Sequence, residues 1–276
     1  PACRSRAGSW WRDRRRYPLP SWRGSYVSGV VRRDGSSRFG ANSRYGVFPA
    51  ASAAWRVIAE PFMQNQKVFS DLKVRGGWGQ MGNSNNVDPN NQYSLYASSK
   101  NNTYYPIGGQ STGADAGYAQ SRIGNPDAKW ETSETLNIGF DASFFDNHLD
   151  LILDWWKKDT KDLLYTVQLP GVVGNWASSP AVNIATMNNH GVDFQIVGRG
   201  NFTEDFSFEV TLNNTFLSNE ITHLTEGVDF FDTGGYRGIT PTNRNAVGQT
   251  ISTFFGYKMI GYFNSQADVD SSPSQD

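Results

Sequence analysis

Apolar and polar residues alternate along the chain, most regularly between Leu136 and Phe144. A period of two places successive side chains on opposite faces of a β-strand. Similar alternation recurs at about 149–155, 192–196 and 206–212, which predicts an all-β protein with long amphipathic strands. In the clearest strand the apolar side chains are Leu136, Ile138, Phe140, Ala142 and Phe144, and the polar ones include Asn137, Asp141 and Ser143.

The order of strands and connections predicts an antiparallel meander with its long loops at one end. Alternate connections of a meander lie at the same end, so the loops at about 81–129, 160–189 and 218–249 fall together. This asymmetry is typical of transmembrane β-barrels, and the predicted strands reach the ~9–11 residues that a crossing needs. Eight strands are predicted, at about 26–33, 45–58, 71–80, 130–145, 148–159, 191–199, 206–217 and 250–263, with a shorter one near 93–97.

Composition agrees with this class and excludes several others. The chain has 276 residues, of which 18% are charged and 14% aromatic. No run approaches the ~18 apolar residues of a transmembrane helix. The formal net charge of −1 gives no electrostatic basis for binding nucleic acid. The single cysteine, Cys3, cannot form an internal disulfide, and three scattered histidines make a metal site implausible, so no cofactor is predicted.

The first 24 residues differ from the rest of the chain. They contain seven Arg and no Lys, without a periodic apolar pattern or the apolar segment of a signal peptide. We expect residues 1–24 to be a disordered or artefactual leader, and residues 25–276 to form a partial β-barrel.

Several short motifs, in order along the chain, resemble the SusC/RagA-type TonB-dependent outer-membrane receptors of Bacteroidota. Each motif is weak alone, but their order and spacing fit from about residue 25 to residue 270. The motifs are Arg33-Asp34-Gly35-Ser36-Ser37-Arg38-Phe39-Gly40, Phe48-Pro49 with Ala53-Ala54-Trp55-Arg56, Leu72-Lys73-Val74-Arg75 through Trp78-Gly79-Gln80-Met81-Gly82-Asn83, Gly124-Asn125-Pro126-Asp127 with Lys129-Trp130-Glu131-Thr132, Asn137-Ile138-Gly139, Lys161-Asp162-Leu163-Leu164 and Asn189-His190-Gly191-Val192.

The resemblance implies an internal fragment from the C-terminal half of a plugged barrel, with about eight of its ~22 strands. It implies a bacterial outer-membrane transporter that imports oligosaccharides, or sometimes peptides, without covalent chemistry. The implied partners are a SusD-like surface lipoprotein, TonB acting through an N-terminal part, and outer-membrane lipid. In this topology the apolar set of 136–144 faces lipid, and Asn137, Asp141 and Ser143 face the lumen.

Ligand contacts are expected from the long loops, because sugars stack on aromatic rings and hydrogen-bond to polar side chains. Packing among the loops is the alternative explanation for the same residues. Acid–base pairs such as Glu131 with Glu134, or Asp146 with His148, have no fixed separation or pocket, so no enzymatic activity is predicted. The candidate contact residues are Tyr104, Tyr105, Tyr118, Arg122, Asn175 and Trp176.

A soluble, secreted β-sandwich or lectin-like carbohydrate-binding module is the alternative from a different class. Both hypotheses use amphipathic strands, and they differ in what covers the apolar face. Five tryptophans near predicted strand ends form an aromatic girdle in the first hypothesis and pack inside a core in the second. They are Trp55, Trp78, Trp130, Trp155 and Trp156.

Overall fold

The computed structural model describes residues 24–109, 113–166, 177–203, 205–235, 241–259 and 261–273. The predicted leader, apart from Gly24, lies outside this part of the chain. The strands are β1 (Ser25–Gly35), β2 (Tyr45–Trp55), β3 (Phe69–Asn83), β4 (Leu95–Ala97), β5 (Ala119–Arg122), β6 (Glu131–Phe144), β7 (Leu149–Thr166), β8 (Ala181–Thr203), β9 (Phe206–Leu224), β10 (Phe230–Thr233), β11 (Asn243–Ala246) and β12 (Thr253–Phe254). Two 3₁₀ turns at Val57–Ala59 and Pro61–Met63 and a short helix α1 (Gln266–Asp270) complete the elements.

Seven strands form one antiparallel sheet in the order β1-β2-β3-β6-β7-β8-β9. The strands β4 and β5 pair within the loop between β3 and β6, and β10 to β12 form a small sheet after β9. The predicted antiparallel meander is therefore confirmed. The large sheet does not close on itself, because β1 and β9 are its two edges. Among the described helices, none is long and apolar enough to cross a membrane.

The connections differ between the two ends of the large sheet. Residues 36–44 connect β1 to β2 at one end, where β3 and β7 also end and β6 and β8 begin; we call it the long-loop end. Residues 56–68 and 145–148 connect strands at the other end, where β8 also ends and β9 begins; this is the short-turn end. The connection 56–68 is longer than predicted, because β2 ends at Trp55 and the two 3₁₀ turns follow.

Strand pairing gives the sheet two faces of opposite character. Leu72, Ala142 and Leu151 are direct neighbours on β3, β6 and β7, and they belong to what we call the apolar face. Residues one position away in sequence, such as Lys73 and Asp141, belong to the polar face. The predicted apolar set of 136–144 lies on the first face, and Asn137, Asp141 and Ser143 lie on the second.

Some strand predictions were wrong in their extent. The strands β7, β8 and β9 are longer than predicted, because their pairing continues past register shifts that interrupt the period of two. In the described part of the predicted eighth strand, 250–263, only Thr253–Phe254 pairs, next to β11. Ser252 has a φ of 60°, a left-handed conformation outside the β region, which ends the pairing there.

The five tryptophans do not form one girdle. The pairing of Trp55, Trp78 and Trp155 places them on the apolar face. Trp156 pairs with Asn137 on the polar face, and Trp130 packs against Phe39 with ring centroids 4.9 Å apart. The girdle prediction is therefore wrong for these two, since one side chain lies on the opposite face and the other fills a core between loops.

The loops at the long-loop end pack into a small core, which we call the loop cluster. It joins residues from the connection after β1, from the connection before β6 and from the facing ends of β7 and β8, so distant segments share one apolar contact. Its buried members are Phe39, Val87, Ala128, Leu164 and Ala181, with Trp130 packed against them.

Asn91 attaches the long connection before β6 to the first residue of β8. Its buried side-chain amide accepts a hydrogen bond of 2.7 Å from the Ala181 N–H and donates one of 3.2 Å to the Ala181 carbonyl. Asn125 donates a further bond of 3.0 Å to the same carbonyl. Both polar groups of the buried Ala181 backbone are satisfied from another loop, which ties the two connections together.

Replacing Asn91 with alanine is therefore expected to loosen this attachment. The change leaves the Ala181 N–H without its partner, which costs about 1–3 kcal/mol for a buried group. We expect a lower free energy of unfolding and faster hydrogen exchange at the start of β8. The matched control is Asn90→Ala, since the Asn90 side chain is exposed. Equal exchange in the two variants would contradict the prediction.

Candidate functional site

The centre of the polar face is a ladder of ion pairs across three strands. The Arg75 guanidinium on β3 donates to Asp141 on β6 (Nε–Oδ1, 3.1 Å) and to Asp154 on β7 (Nη2–Oδ2, 2.6 Å). Lys73 adds a second cation 3.0 Å from Asp141. Four charged side chains thus lie together on one face of the sheet.

Gly139 makes the reach of Arg75 possible. In the strand pairing, Gly139 lies directly between Arg75 on β3 and Asp154 on β7. A Cβ at this position would be 2.5 Å from the Asp154 Oδ1 and 2.6 Å from the Arg75 Cζ. Only a residue without a side chain leaves room for the guanidinium to cross β6, so the glycine is part of the ion-pair ladder.

Two carboxylates lie side by side at the end of this ladder. Asp154 on β7 is the direct partner of Asp193 on β8. Each has one buried Oδ1 that lacks a hydrogen-bond partner among the described residues. Like charges directly opposite each other repel, so this point of the polar face favours positively charged or hydrogen-bond-donating groups.

A groove of about 810 Å³ lies beside the ladder, between β1, β2 and β3. Lys73, Arg75 and the predicted lumen-facing Asn137 line it together with Ser28 and Ser52, whose hydroxyls are 2.7 Å apart. Its volume falls within the roughly 300–1,000 Å³ of ligand pockets. Apolar side chains of β1 and β2 complete the lining, so the groove offers charged, hydrogen-bonding and apolar contacts.

Near the short-turn end, a second set of ion pairs fixes the polar face. Arg199 on β8 contacts Asp150 on β7 (Nη1–Oδ2, 2.5 Å) and Glu209 on β9 (Nε–Oε2, 2.6 Å). The two networks have the same arrangement, because in each of them one arginine contacts acidic side chains on two other strands. The polar face therefore carries paired charge from β3 to β9.

Glu131 is the main polar contact at the long-loop end of this face. Its buried carboxylate accepts from the side-chain amides of Asn83 and Asn86, each at 3.0 Å, and from the backbone N–H of Leu164 at 3.3 Å. A buried carboxylate is tolerated only with such donors. Sequence reasoning missed this role, although Asn83, Glu131 and Leu164 each belong to a motif quoted above.

The predicted loop residues have different environments. Tyr105 and Tyr118 are exposed, and Tyr104 is half-buried. Tyr105 pairs with Asp115 in an isolated bridge, while Arg122 lies in β5 and pairs with Leu95 of β4. Asn175 and Trp176 lie outside the described residues. A ligand-contact role for these six residues stays a prediction.

Arg122 already has an ionic partner. Its guanidinium forms two hydrogen bonds to the carboxylate of Asp88, of 2.7 and 3.1 Å. These bonds, helped by the Asn90 N–H, lower the pKa of Asp88 to about 2. The pair therefore stays charged in mildly acidic solution, and a ligand carboxylate would have to compete with Asp88 for Arg122.

The residues considered for acid–base catalysis make other contacts. Glu131 and Glu134 lie on opposite faces of β6, and Glu134 contacts Trp78 and Lys161 on the apolar face. His148 contacts the carbonyl of Phe145 through Nδ1. Within the described ranges, no group of three or more His, Cys, Asp or Glu residues could hold a metal ion.

Comparison with known proteins gives a consistent result. A family model described as the β-barrel of TonB-dependent receptor-like proteins matches residues 16–272. The chain is 33% identical to the TonB-dependent receptor SusC of Bacteroides thetaiotaomicron over 84% of this chain and 23% of that protein. It is 34% identical to the TonB-dependent receptor P26 of Formosa agariphila over 90% of this chain and 24% of that protein.

The solved structures agree with the sequence comparison. The RagAB peptide importer in its closed-closed state matches with a TM-score of 0.73 and 27% identity, over 87% of this chain and 24% of that chain. The RagAB peptide transporter matches with a TM-score of 0.70 and 28% identity, over 81% of this chain and 23% of that chain. The chain thus spans about a quarter of the length of the curated relatives it matches.

The role assigned to Gly139 can be tested by adding one methyl group. Gly139→Ala places a Cβ against both Asp154 and Arg75 and forces the guanidinium away, which we expect to lower the free energy of unfolding by about 1–3 kcal/mol. Thermal or urea unfolding of the intact purified protein measures the change. Gly198→Ala on β8 is the control, because nothing lies within 4 Å of its added Cβ. If both variants unfold alike, the glycine does not support the ladder.

Proposed function

The chain belongs to the TonB-dependent receptor-like β-barrel family, and from this premise we propose that it forms part of the wall of an outer-membrane nutrient transporter. In the intact receptor, further strands continue the sheet at β1 and β9 and close it. The chain matches about a quarter of the length of each curated relative, which supports a role as one part of a larger barrel.

The opposite character of the two faces is the observation that carries this proposal. On the apolar face, Leu136 and Ile138 are 40% and 52% exposed at the middle of a strand. On the polar face, Arg75 joins Asp141 and Asp154. A transmembrane barrel needs such a wall, apolar toward lipid and polar toward a water-filled lumen. Asn137, Asp141 and Ser143 accordingly face the lumen.

The proposal extends to energy coupling and to a partner. TonB delivers energy through a part of the receptor that precedes this chain, and a SusD-like surface lipoprotein covers the long-loop end. The SusC resemblance supports both. The loop cluster and the Asn91–Ala181 attachment hold these loops together, which gives the lipoprotein a continuous surface to contact. The receptor performs no covalent chemistry on what it imports.

Oligosaccharides or peptides are the proposed substrates. The exposed Tyr105 and Tyr118, with Tyr104 nearby in sequence, offer rings for stacking. Arg122, Asn175 and Trp176 are the other proposed polar and aromatic contacts. The peptide alternative has support from the RagAB importer. Growth of a strain lacking the receptor, on single glycans or defined peptides as the only nutrient, distinguishes the two substrate classes.

A soluble β-sandwich module is the competing function. A sandwich needs a second sheet over the apolar face. In the described part of the chain, the three sheets are the large sheet, the two-stranded β4–β5 and the three-stranded β10–β12. Ile138, in the middle of a strand on the apolar face, is 52% exposed, so none of these sheets covers it. This arrangement favours the transporter.

Cysteine labelling in the intact receptor tests the orientation of the wall. Ile138→Cys and Asn137→Cys, each introduced after Cys3→Ser removes the native thiol, occupy adjacent positions of β6 on opposite faces. A membrane-impermeant, water-soluble maleimide added to isolated outer membranes is expected to react at position 137 and not at position 138. Labelling of position 138 alone reverses the assignment.

Cell fractionation of the same strain supplies the control for location. The receptor should be recovered in the outer-membrane fraction, and recovery in the soluble fraction contradicts the transporter proposal. After solubilisation in denaturant, both cysteines should react equally, which excludes a difference in their chemical reactivity.

A further inference from the structure

The apolar face is not uniformly open, because the connection after β2 folds back over its short-turn end. Val57 of the first 3₁₀ turn is buried with Leu72 and Ala142, and Ile58 and Met63 pack around them. Ala142 is only 3% exposed, whereas Ile138, four residues away on the same face, is 52% exposed. We call the segment 57–63 the foot.

The outer surface of the foot is itself apolar. Phe62 is 66% exposed, and it makes an edge-to-face contact with Trp55, with ring centroids 6.5 Å apart. The indole N–H of Trp55 donates to Glu60 across 2.9 Å. An exposed aromatic pair, with a polar group attached to one edge, is the arrangement that Trp and Tyr adopt where a membrane meets water.

Polar residues follow the foot at once. Gln66 closes the next turn by accepting from the N–H groups of Val68 and Phe69. Arg56, directly before the foot, is bound to Asp71 at 2.9 Å. The foot therefore has an inner apolar surface on the sheet, an outer aromatic surface, and polar residues at both ends.

The dimensions agree with a position at the inner edge of the apolar band. At the opposite edge the apolar face becomes polar at Glu134, which contacts Trp78 and Lys161. From Glu134 to Phe144 the strand covers about 33 Å at ~3.3 Å per residue, or roughly 25 Å of depth at a tilt of ~40°. This matches the ~25 Å apolar band of outer-membrane barrels. The foot covers Phe140 to Phe144, which is about 10 Å of that depth.

We propose that the foot is an interfacial anchor, which rests in the boundary between headgroups and acyl chains of the inner leaflet. There Phe62 and Trp55 contact lipid, while the foot replaces lipid over Ala142. Amphipathic segments bind this boundary at a depth of ~5–10 Å. This inference rests on the proposed function, and it changes the predicted lipid-facing set, since Leu136 and Ile138 then contact lipid directly and Ala142 does not.

Spin labels in the intact receptor, reconstituted in phospholipid vesicles, test this placement. Phe62→Cys is compared with Asn65→Cys, an exposed polar position on the same connection. Collision rates with oxygen, which concentrates in lipid, and with a water-soluble nickel chelate report the depth. The label at 62 is expected to collide more with oxygen and less with the chelate than the label at 65.

Two other outcomes overturn the anchor. Equal chelate collision at 62 and 65 would place the foot in water, and protection of 62 from both reagents would mean that protein covers it. The label at Ile138→Cys separates this failure from that of the proposed function. If 138 collides with oxygen while 62 is in water, only the anchor is wrong; if 138 collides with the chelate, the membrane wall itself is wrong.

Discussion

The register of the antiparallel ladder is the constraint on which the other features depend. Because side chains alternate with a period of two, a slip of one residue between β3 and β6 would bring Lys73 opposite an apolar position and move Arg75 away from Asp141. Ion pairs on one face and apolar contacts on the other therefore favour the same register. The constraint is cooperative, since Arg75 on β3 reaches β6 and β7, and Arg199 on β8 reaches β7 and β9.

Several motifs that carry the family resemblance contact one another at the long-loop end. A Cβ on Gly40 would be 2.2 Å from the carbonyl oxygen of Pro126, so two motifs far apart in sequence touch there. Glu131 joins Asn83 and Leu164 in the same region. Asn125, in the same motif as Pro126, accepts from the Asp127 N–H, which is ordinary turn chemistry. Its donor bond to Ala181 shows that turn chemistry is only half of its role.

Period-two alternation was sufficient to predict the sheet, its faces and the uneven lengths of its connections. It could not predict where β7 and β8 end, because register shifts near Leu163 interrupt the pattern without ending the pairing. It also could not predict the loop cluster or the ladder partners of Arg75, since these contacts join residues far apart in sequence. The predicted second strand extended to Ile58, whereas Val57–Ala59 forms a 3₁₀ turn. Val57 and Ile58 are β-branched residues, which are common in strands, so their residue type did not reveal the turn. Those same apolar side chains are what attach the foot to the sheet.

Small residues determine which contacts can form on each face of the sheet. On the polar face, Gly139 leaves space for a guanidinium to lie across a strand, so Arg75 is paired with acids of two neighbouring strands within the sheet. On the apolar face, Ala142 leaves space for Val57, so the chain can cover part of its own surface. A larger side chain at either position would remove a contact between elements without changing the alternation. The pattern of polarity therefore determines the faces, and the distribution of small residues determines which parts of each face remain open to a ligand or to lipid.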